Sequence, residues 1–314
     1  MDVRPLYYRR DVLEQAGIIG PGEDWQPTSW DEILTAARTI KENVPGVIPI
    51  AVKSGVIGGE ATTMQGFYPL LLGAGGRLLD ADSGKWVSRS SAFTDALEFL
   101  STIFDEELST APEFWLAGSP VDDVHVLFRD GELAMLVTWD GVWAEMADPE
   151  HSRFIPDPPG RDAVAGFAMI PAKAPGASWR GQDFVTISGG WTMVINAAIA
   201  PEKADLAFEF LKFVYSKDEL VAYIVDGLGG GISVRQDVAS DPQVVAGADE
   251  FADFREVFVD FTTFRPGLPE YPEISDAVQE ATEKIMLGDS PAEVADWYAG
   301  RVEEIVGAEN TIEK

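Results

Sequence analysis

Apolar positions along this chain repeat with two different periods, and the switches between them outline the elements. Short apolar runs at 3–8, 47–52, 133–138, 167–170 and 185–187 predict strands, and the alternation in 191–195 predicts one more. Elsewhere the spacing becomes three and four. Trp30, Ile33, Leu34, Ala37 and Ile40 form one such stripe, and Ala204, Ala207, Phe208, Leu211 and Val214 form another within a helix over 202–215. Further helices are predicted over 11–16, 62–72, 91–104, 251–259, 274–287 and 291–305. Their ends carry matching punctuation. Gly17 stands in a C-terminal capping place, Ser29 and Glu32 make a capping box, and Ser290 with Pro291 opens the last helix. Trp30, inside a helical stripe, reads as core.

Two breaks divide this pattern: the proline-rich stretch 156–160 and the glycine-dense run 226–231. The alternation of strands and helices across them predicts an α/β protein of two lobes, with chain crossings near residues 160 and 228. No internal repeat or low-complexity segment is visible.

Composition changes the picture mainly by exclusion. With 46% hydrophobic and 11% aromatic residues over 314 positions, the chain has ample material for a core. Its 53 acidic residues against 23 basic ones give a net charge of -30, which excludes nucleic acid and disfavours anionic membranes. The acids are spread over amphipathic helices, a solvated surface of the kind that suits high salt. Cysteine is absent, so disulfide, thiol and cysteine-metal chemistry are all excluded. Only His125 and His151 are present, neither in a motif, so a catalytic triad or a histidine metal site has little to draw on. No stretch is long and apolar enough for a membrane span, and the first residues lack a signal-peptide pattern.

Several apparent motifs dissolve on inspection. Asp80, Asp82 and Gly84 resemble part of a calcium loop, but position 91 is Ser where a bidentate Glu is needed, so the segment reads as a turn. Gly288-Asp289-Ser290-Pro291 resembles an esterase signature, yet Ser290 is better used as a helix cap. The glycines at 227–231 lack the strand and helix of a nucleotide fingerprint. No cofactor is indicated. Carboxylate pairs are too numerous to single out any for glycosidase work.

What stands out is a set of tryptophans at glycine-marked loop edges. Trp139 and Trp143 flank Asp140-Gly141-Val142, and Trp191 follows Ser188-Gly189-Gly190. Sugars lay flat C–H patches on aromatic rings and need directional partners for their hydroxyls, while glycine lets them approach the main chain. This arrangement reads as walls of a carbohydrate cleft; ordinary core packing of all three tryptophans is the other reading.

Four segments together carry a family resemblance: 6–17 (Leu-Tyr-Tyr-Arg-Arg-Asp-Val-Leu-Glu-Gln-Ala-Gly), 27–32 (Pro-Thr-Ser-Trp-Asp-Glu), 75–80 (Gly-Gly-Arg-Leu-Leu-Asp) and 128–135 (Phe-Arg-Asp-Gly-Glu-Leu-Ala-Met). They resemble the family 1 extracellular solute-binding proteins, the sugar receptors of ABC importers of the maltose and trehalose type. The resemblance implies a periplasmic-binding-protein-like (type II) fold with a sugar held between two hinged lobes. Carried over by position, it implies sugar contacts from Asp2, Trp139, Trp143, Gly190, Trp191 and Arg265; Asp140 is added for its adjacency to Trp139. It also implies a sugar ligand and the importer's permease subunits as partners, a monomer, an extracellular or periplasmic location, and no enzymatic activity. A glycoside-acting enzyme using a carboxylate pair is the alternative.

The resemblance further implies about a hundred residues ahead of the tyrosine pair that this sequence does not contain. The expectation is therefore a complete second lobe from 1–160 and 228–314, with 161–227 as the returning piece of an incomplete first lobe. A truncated or mis-started reading frame follows as an expectation, and a fragment without function, half its cleft being missing, stands as a further alternative to the sugar receptor.

Overall fold

The computed structural model describes residues 2–146, 158–190, 192–225, 233–246 and 250–314. Its central sheet is built on β1 (Leu6–Arg9), flanked antiparallel by β3 (Met135–Val137) and β4 (Ala165–Ala168), with Tyr7 opposite both Leu136 and Phe167. All four residues of β1 are buried, Arg9 included, which is why the strand shows no alternation of apolar and polar positions. The strand expected over 47–52 forms only two parallel bridges, Ile48 to Leu133 and Ala51 to Leu136. Pro49 supplies no amide for a ladder between them.

A short parallel pair, β2 (Trp86–Arg89) and β8 (Thr311–Glu313), ties the C-terminus to the turn at 80–84. There the Asp80 carboxylate accepts from the Ser83 amide at 3.0 Å and from Lys314 at 3.0 Å, and Gly84 has φ +68°, as a turn requires. The third sheet joins β5 (Ile170–Pro171), β6 (Phe184–Ser188) and β7 (Thr262–Phe264), with β6 and β7 parallel and Ser188 opposite Phe264.

Strand pairing moves the expected crossings. Ala165–Ala168, assigned to the returning segment, hydrogen-bonds to β1, so the change of sheet comes at Ile170. Thr262–Phe264, assigned to the other lobe, pairs with β6. The prolines near 160 misled because Pro158 and Pro159 open a helix, Pro158–Val164, where a missing amide costs nothing. Pro156 and Asp157, like 226–231 and His151, lie outside the described residues.

Helix ends follow the side chains closely. Ser29, Ser90 and Ser290 accept from the amides of Glu32, Phe93 and Glu293 at 3.3, 3.1 and 3.4 Å, and Gly17 closes its helix at φ +78°. Trp30 is core, 5.0 Å from the Phe99 ring. The helix expected over 62–72 begins instead as a π-turn, Thr62–Phe67, before the α-helix Tyr68–Gly73. Pro69 cannot donate to the Gln65 carbonyl, and the widened turn lets Gly66 lie directly on the Lys53 backbone. Helices Ser91–Asp105, Tyr271–Met286 and Pro291–Val306 close the main core, where Phe93 stacks on Tyr298 at 4.0 Å.

One region does not join this core. Across residues 192–225 and 233–246 only Val221, Val238 and Asp241 are buried, and helix Pro201–Val214 buries nothing. The strand expected over 191–195 is not formed by 192–195, which have no regular structure and no neighbouring strand among the described residues. An alternating pattern specifies a strand face, but a strand persists only where another chain segment accepts its hydrogen bonds.

Candidate functional site

The ends of parallel strands β6 and β7 bring the informative residues together. Because Ser188 sits opposite Phe264, Gly189 and Gly190 leave the sheet beside Arg265. Facing them is the N-terminal segment, whose Arg4 amide donates to Thr186 Oγ1 at 2.8 Å. Asp2 binds this corner through its amide and its carboxylate. Its Oδ1 accepts from the Gly189 amide at 2.7 Å and from Ser188 Oγ at 3.0 Å, and lies 2.8 Å from Arg4 Nη1. Burial alone raises its pKa, but the Arg4 charge and the hydrogen bonds from Arg4, Gly189 and Ser188 outweigh that and hold it below the usual carboxylate range. At Gly189 a Cβ would fall 3.0 Å from Arg4 Nη2 and would nudge that guanidinium, whereas at Gly190 the φ of +85° itself favours glycine.

Asp140 reaches the same place from the end of β3. Its amide donates to the Val3 carbonyl at 3.1 Å, and its own carbonyl accepts from the Tyr7 hydroxyl at 3.2 Å. The side chain is 1% exposed. Oδ2 lies 3.5 Å from Arg255, and Oδ1 has no hydrogen-bond partner among the described residues. Burial, opposed by Arg255 and reinforced by the nearby charge of Asp2, pushes its pKa up to about 6. Trp139, next to it, is half-buried, and its ring lies over Gly141, where any Cβ would fall 1.8 Å from Cζ3. Glycine beside this tryptophan therefore seats the ring.

Trp143 is a correction. Far from being a platform, it is 5% exposed and stacks at 5.9 Å on Tyr7, with Phe251 at 5.1 Å and the Arg161 guanidinium 4.1 Å above it. Core packing, the competing reading, holds for this tryptophan because strand β1 and a distant helix converge on it. Trp191 lies outside the described residues.

Arg265 is held by a residue that the sequence did not single out. Glu60 accepts from Arg265 Nη1 at 2.9 Å, from the Tyr271 hydroxyl at 2.7 Å and from Ser275 Oγ at 2.6 Å. The π-turn that follows it continues the wall. Thr63 bonds Ser275 at 2.8 Å, Met64 Cε comes within 3.7 Å of where a Gly189 side chain would begin, and Gln65 accepts from Thr138 at 2.9 Å. Beneath lies fully buried Lys53, donating to Gln65 and Thr138 at 2.8 Å each, with His125 2.8 Å from Thr138. Burial, aided by the Arg4 charge, pushes the Lys53 pKa well down; burial and the Lys53 charge take His125 down to about 2. His125 is thus a structural histidine. The signal for Lys53 was present, since it ends the apolar run Ile48-Pro49-Ile50-Ala51-Val52; nothing marked Glu60.

The site thus offers carboxylates, guanidinium groups and close-approach backbone, with the half-buried Trp139 adjoining Asp140 in sequence, at the carboxyl ends of parallel strands where open α/β sheets place their ligands. Among the described residues no His, Asp and Glu cluster is arranged to hold a metal. A family model described as "bacterial extracellular solute-binding protein" matches residues 1–220. The chain belongs to that family. Among its relatives are binding proteins of Brucella abortus and Brucella suis, each 28% identical over 289 residues, covering 91% of this chain and 61% of the relative. This solute-binding protein therefore spans about three-fifths of the curated relatives it matches. Solved structures share its fold: maltose-bound MalE3 of T. maritima (TM-score 0.76, 24% identity) and the solute-binding protein of Thermotoga lettingae with α-D-tagatose (0.77, 24%) each match 97–98% of the chain and 71% of their own. The GacH receptor of Streptomyces glaucescens, solved unliganded and with acarbose, matches at 0.76 with 20% identity, over 98% of the chain and 70% of its own. The fold is therefore the type II periplasmic-binding-protein fold. No helix among the described residues is long and apolar enough to cross a membrane.

Proposed function

We propose that this protein captures a sugar, a disaccharide or oligosaccharide, for an ABC importer. One observation carries the reading: an ionised carboxylate, Asp2, is fixed by Arg4, Ser188 and the Gly189 amide at the end of β6, the strand whose parallel partner β7 leads into the half-exposed Arg265. Ring stacking with charged and backbone groups around it suits sugar C–H faces and hydroxyls. The sugars bound by the solved relatives support the ligand class. In this reading the ligand bridges two lobes and favours a closed form that permease subunits recognise outside the membrane. The protein works as a monomer and does not turn its ligand over.

One feature favours an enzyme instead, since a carboxyl group raised to about 6 near an ionised carboxylate is the pairing that glycosidases use. Asp140, however, is buried under Tyr7 and Arg255, where no glycosidic oxygen reaches it. Calorimetric titration with maltose, trehalose and tagatose, with parallel reducing-sugar assays, tests both readings. Saturable binding without release of reducing ends is expected. Release proportional to protein would favour the enzyme, and no heat from any sugar would count against both.

A further inference from the structure

Arginine in this chain is rarely left without an acid. Every described arginine but two lies in an ion pair with a carboxylate, as expected where 53 acids face 23 bases. The exceptions are Arg77 and Arg180, and they meet on one ring. Their guanidinium carbons stand 4.4 and 4.3 Å from the centroid of Trp179, so the two charges are at most about 9 Å apart, within a Debye length at ordinary salt. Their positive fields therefore add.

The fold brings the two together from different segments. Arg77 follows the helix Tyr68–Gly73, and Arg180 stands in the turn between β5 and β6. The Trp179 amide donates to the Leu72 carbonyl at 3.0 Å, and the Ala177 carbonyl lies 3.1 Å from where a Gly75 Cβ would stand. What holds each guanidinium is slight. Arg77 lies by the Tyr68 hydroxyl, which burial keeps protonated with its pKa pushed up to about 12, and its own Nε has no hydrogen-bond partner. Among the described residues the exposed Arg180 donates only to the Thr262 carbonyl, at 3.3 Å. Acids on neighbouring segments are engaged elsewhere: Asp183 accepts from the Gly176 amide at 2.8 Å, and Asp95 pairs with Lys173 at 2.7 Å.

We propose that Arg77 and Arg180, stacked on Trp179, form a binding site for a small oxyanion of the phosphate, sulfate or carboxylate class. Planar guanidinium groups match such oxygens two at a time, a match that a spherical halide does not offer. Polyanions fit less well, because a net charge of -30 repels nucleic acid or an anionic bilayer at long range. The site stands where β6 and β7 begin, the opposite end of those strands from Ser188 and Arg265, so it does not depend on the sugar reading. A bound oxyanion would relieve the repulsion between the two arginines and tie the turn before β6 to the segment after Gly73.

Calorimetric titration with sodium phosphate, in buffer of about 10 mM ionic strength matched throughout with sodium chloride, tests this. Melting temperature does not serve, since phosphate stabilises folded proteins without binding them. One saturable site is expected in the wild type. Its affinity should fall at least about tenfold in Arg77→Gln and in Arg180→Gln, about threefold in Arg180→Lys, which keeps the charge and loses the fork, and stay within about twofold in Arg38→Gln, whose guanidinium is held by Glu106. Arg180 is exposed, so its variants keep the fold even where Arg77→Gln loosens the packing around Tyr68. No saturable heat from phosphate, an unchanged affinity in Arg180→Gln, or the same heats on titrating chloride alone would overturn the proposal.

Discussion

Two helices of similar length differ in almost everything except their pattern. Tyr271–Met286 buries ten of its residues, from Tyr271 and Ile274 through Met286, against the helices Ser91–Asp105 and Pro291–Val306. Pro201–Val214 carries larger apolar side chains and buries none. Periodicity reports which face a helix intends to bury; it is silent on whether the covering element is in the same chain. A hydrophobic stripe is thus a demand, and only the rest of the fold shows whether it is met.

The sharpest way to break this comparison is to cut one side chain from each helix. Ile274→Ala, at a site 0% exposed, should lower stability by about 2–5 kcal/mol, while Phe210→Ala should stay within about 0.5 kcal/mol in urea denaturation. Equal losses would show that Pro201–Val214 packs in solution. Next in size is Gly141→Ala, which should cost about 1–3 kcal/mol and displace Trp139, visible as a shift of its fluorescence to the red.

Smaller effects separate the buried polar groups by sign. His125, neutral when folded with its pKa near 2, contributes stability that is present above its unfolded value of about 6.5 and is lost as pH falls below it. Asp140 acts in the opposite direction. With its pKa raised to about 6, its contribution is present below its unfolded value of about 3.9 and is lost as pH rises through 6. Urea midpoints measured from pH 4 to 8 should therefore lose their acid-side slope in His125→Gln and their decline through pH 6 in Asp140→Asn. The smallest effect belongs to the exposed pair Arg38–Glu106, where Arg38→Ala should change stability by less than about 1 kcal/mol, shrinking further in salt.

How much could be read in advance divides along the same line. Local signals were legible: the caps at Ser29 and Ser290, the stop at Gly17, the turn at Asp80 and the core place of Trp30 all depend on residues within a few positions. Trp143 was misread because what buries it, Tyr7 and Phe251, lies more than a hundred residues away on either side. The boundary near 160 failed for the opposite reason: Pro158 and Pro159 fit a helix start as well as a linker, and β4 pairing with β1 decides between them. At the site, Asp2 and Arg265 came only through family resemblance. Their partners Ser188, Gly189 and Glu60 are set by strand register, and Glu60 has no local sign at all.

The long reach of those contacts carries a kinetic meaning. Asp2 meets Gly189 across a sequence separation of 187, Arg265 meets Glu60 across 205, and Ser275 meets Glu60 across 215. Closing such loops early would spend chain entropy that no local contact returns, so these bonds belong to the late stages of folding. A ligand that requires Asp2 and Arg265 together would engage only a finished molecule, and its affinity would serve as an assay of maturation as much as of recognition.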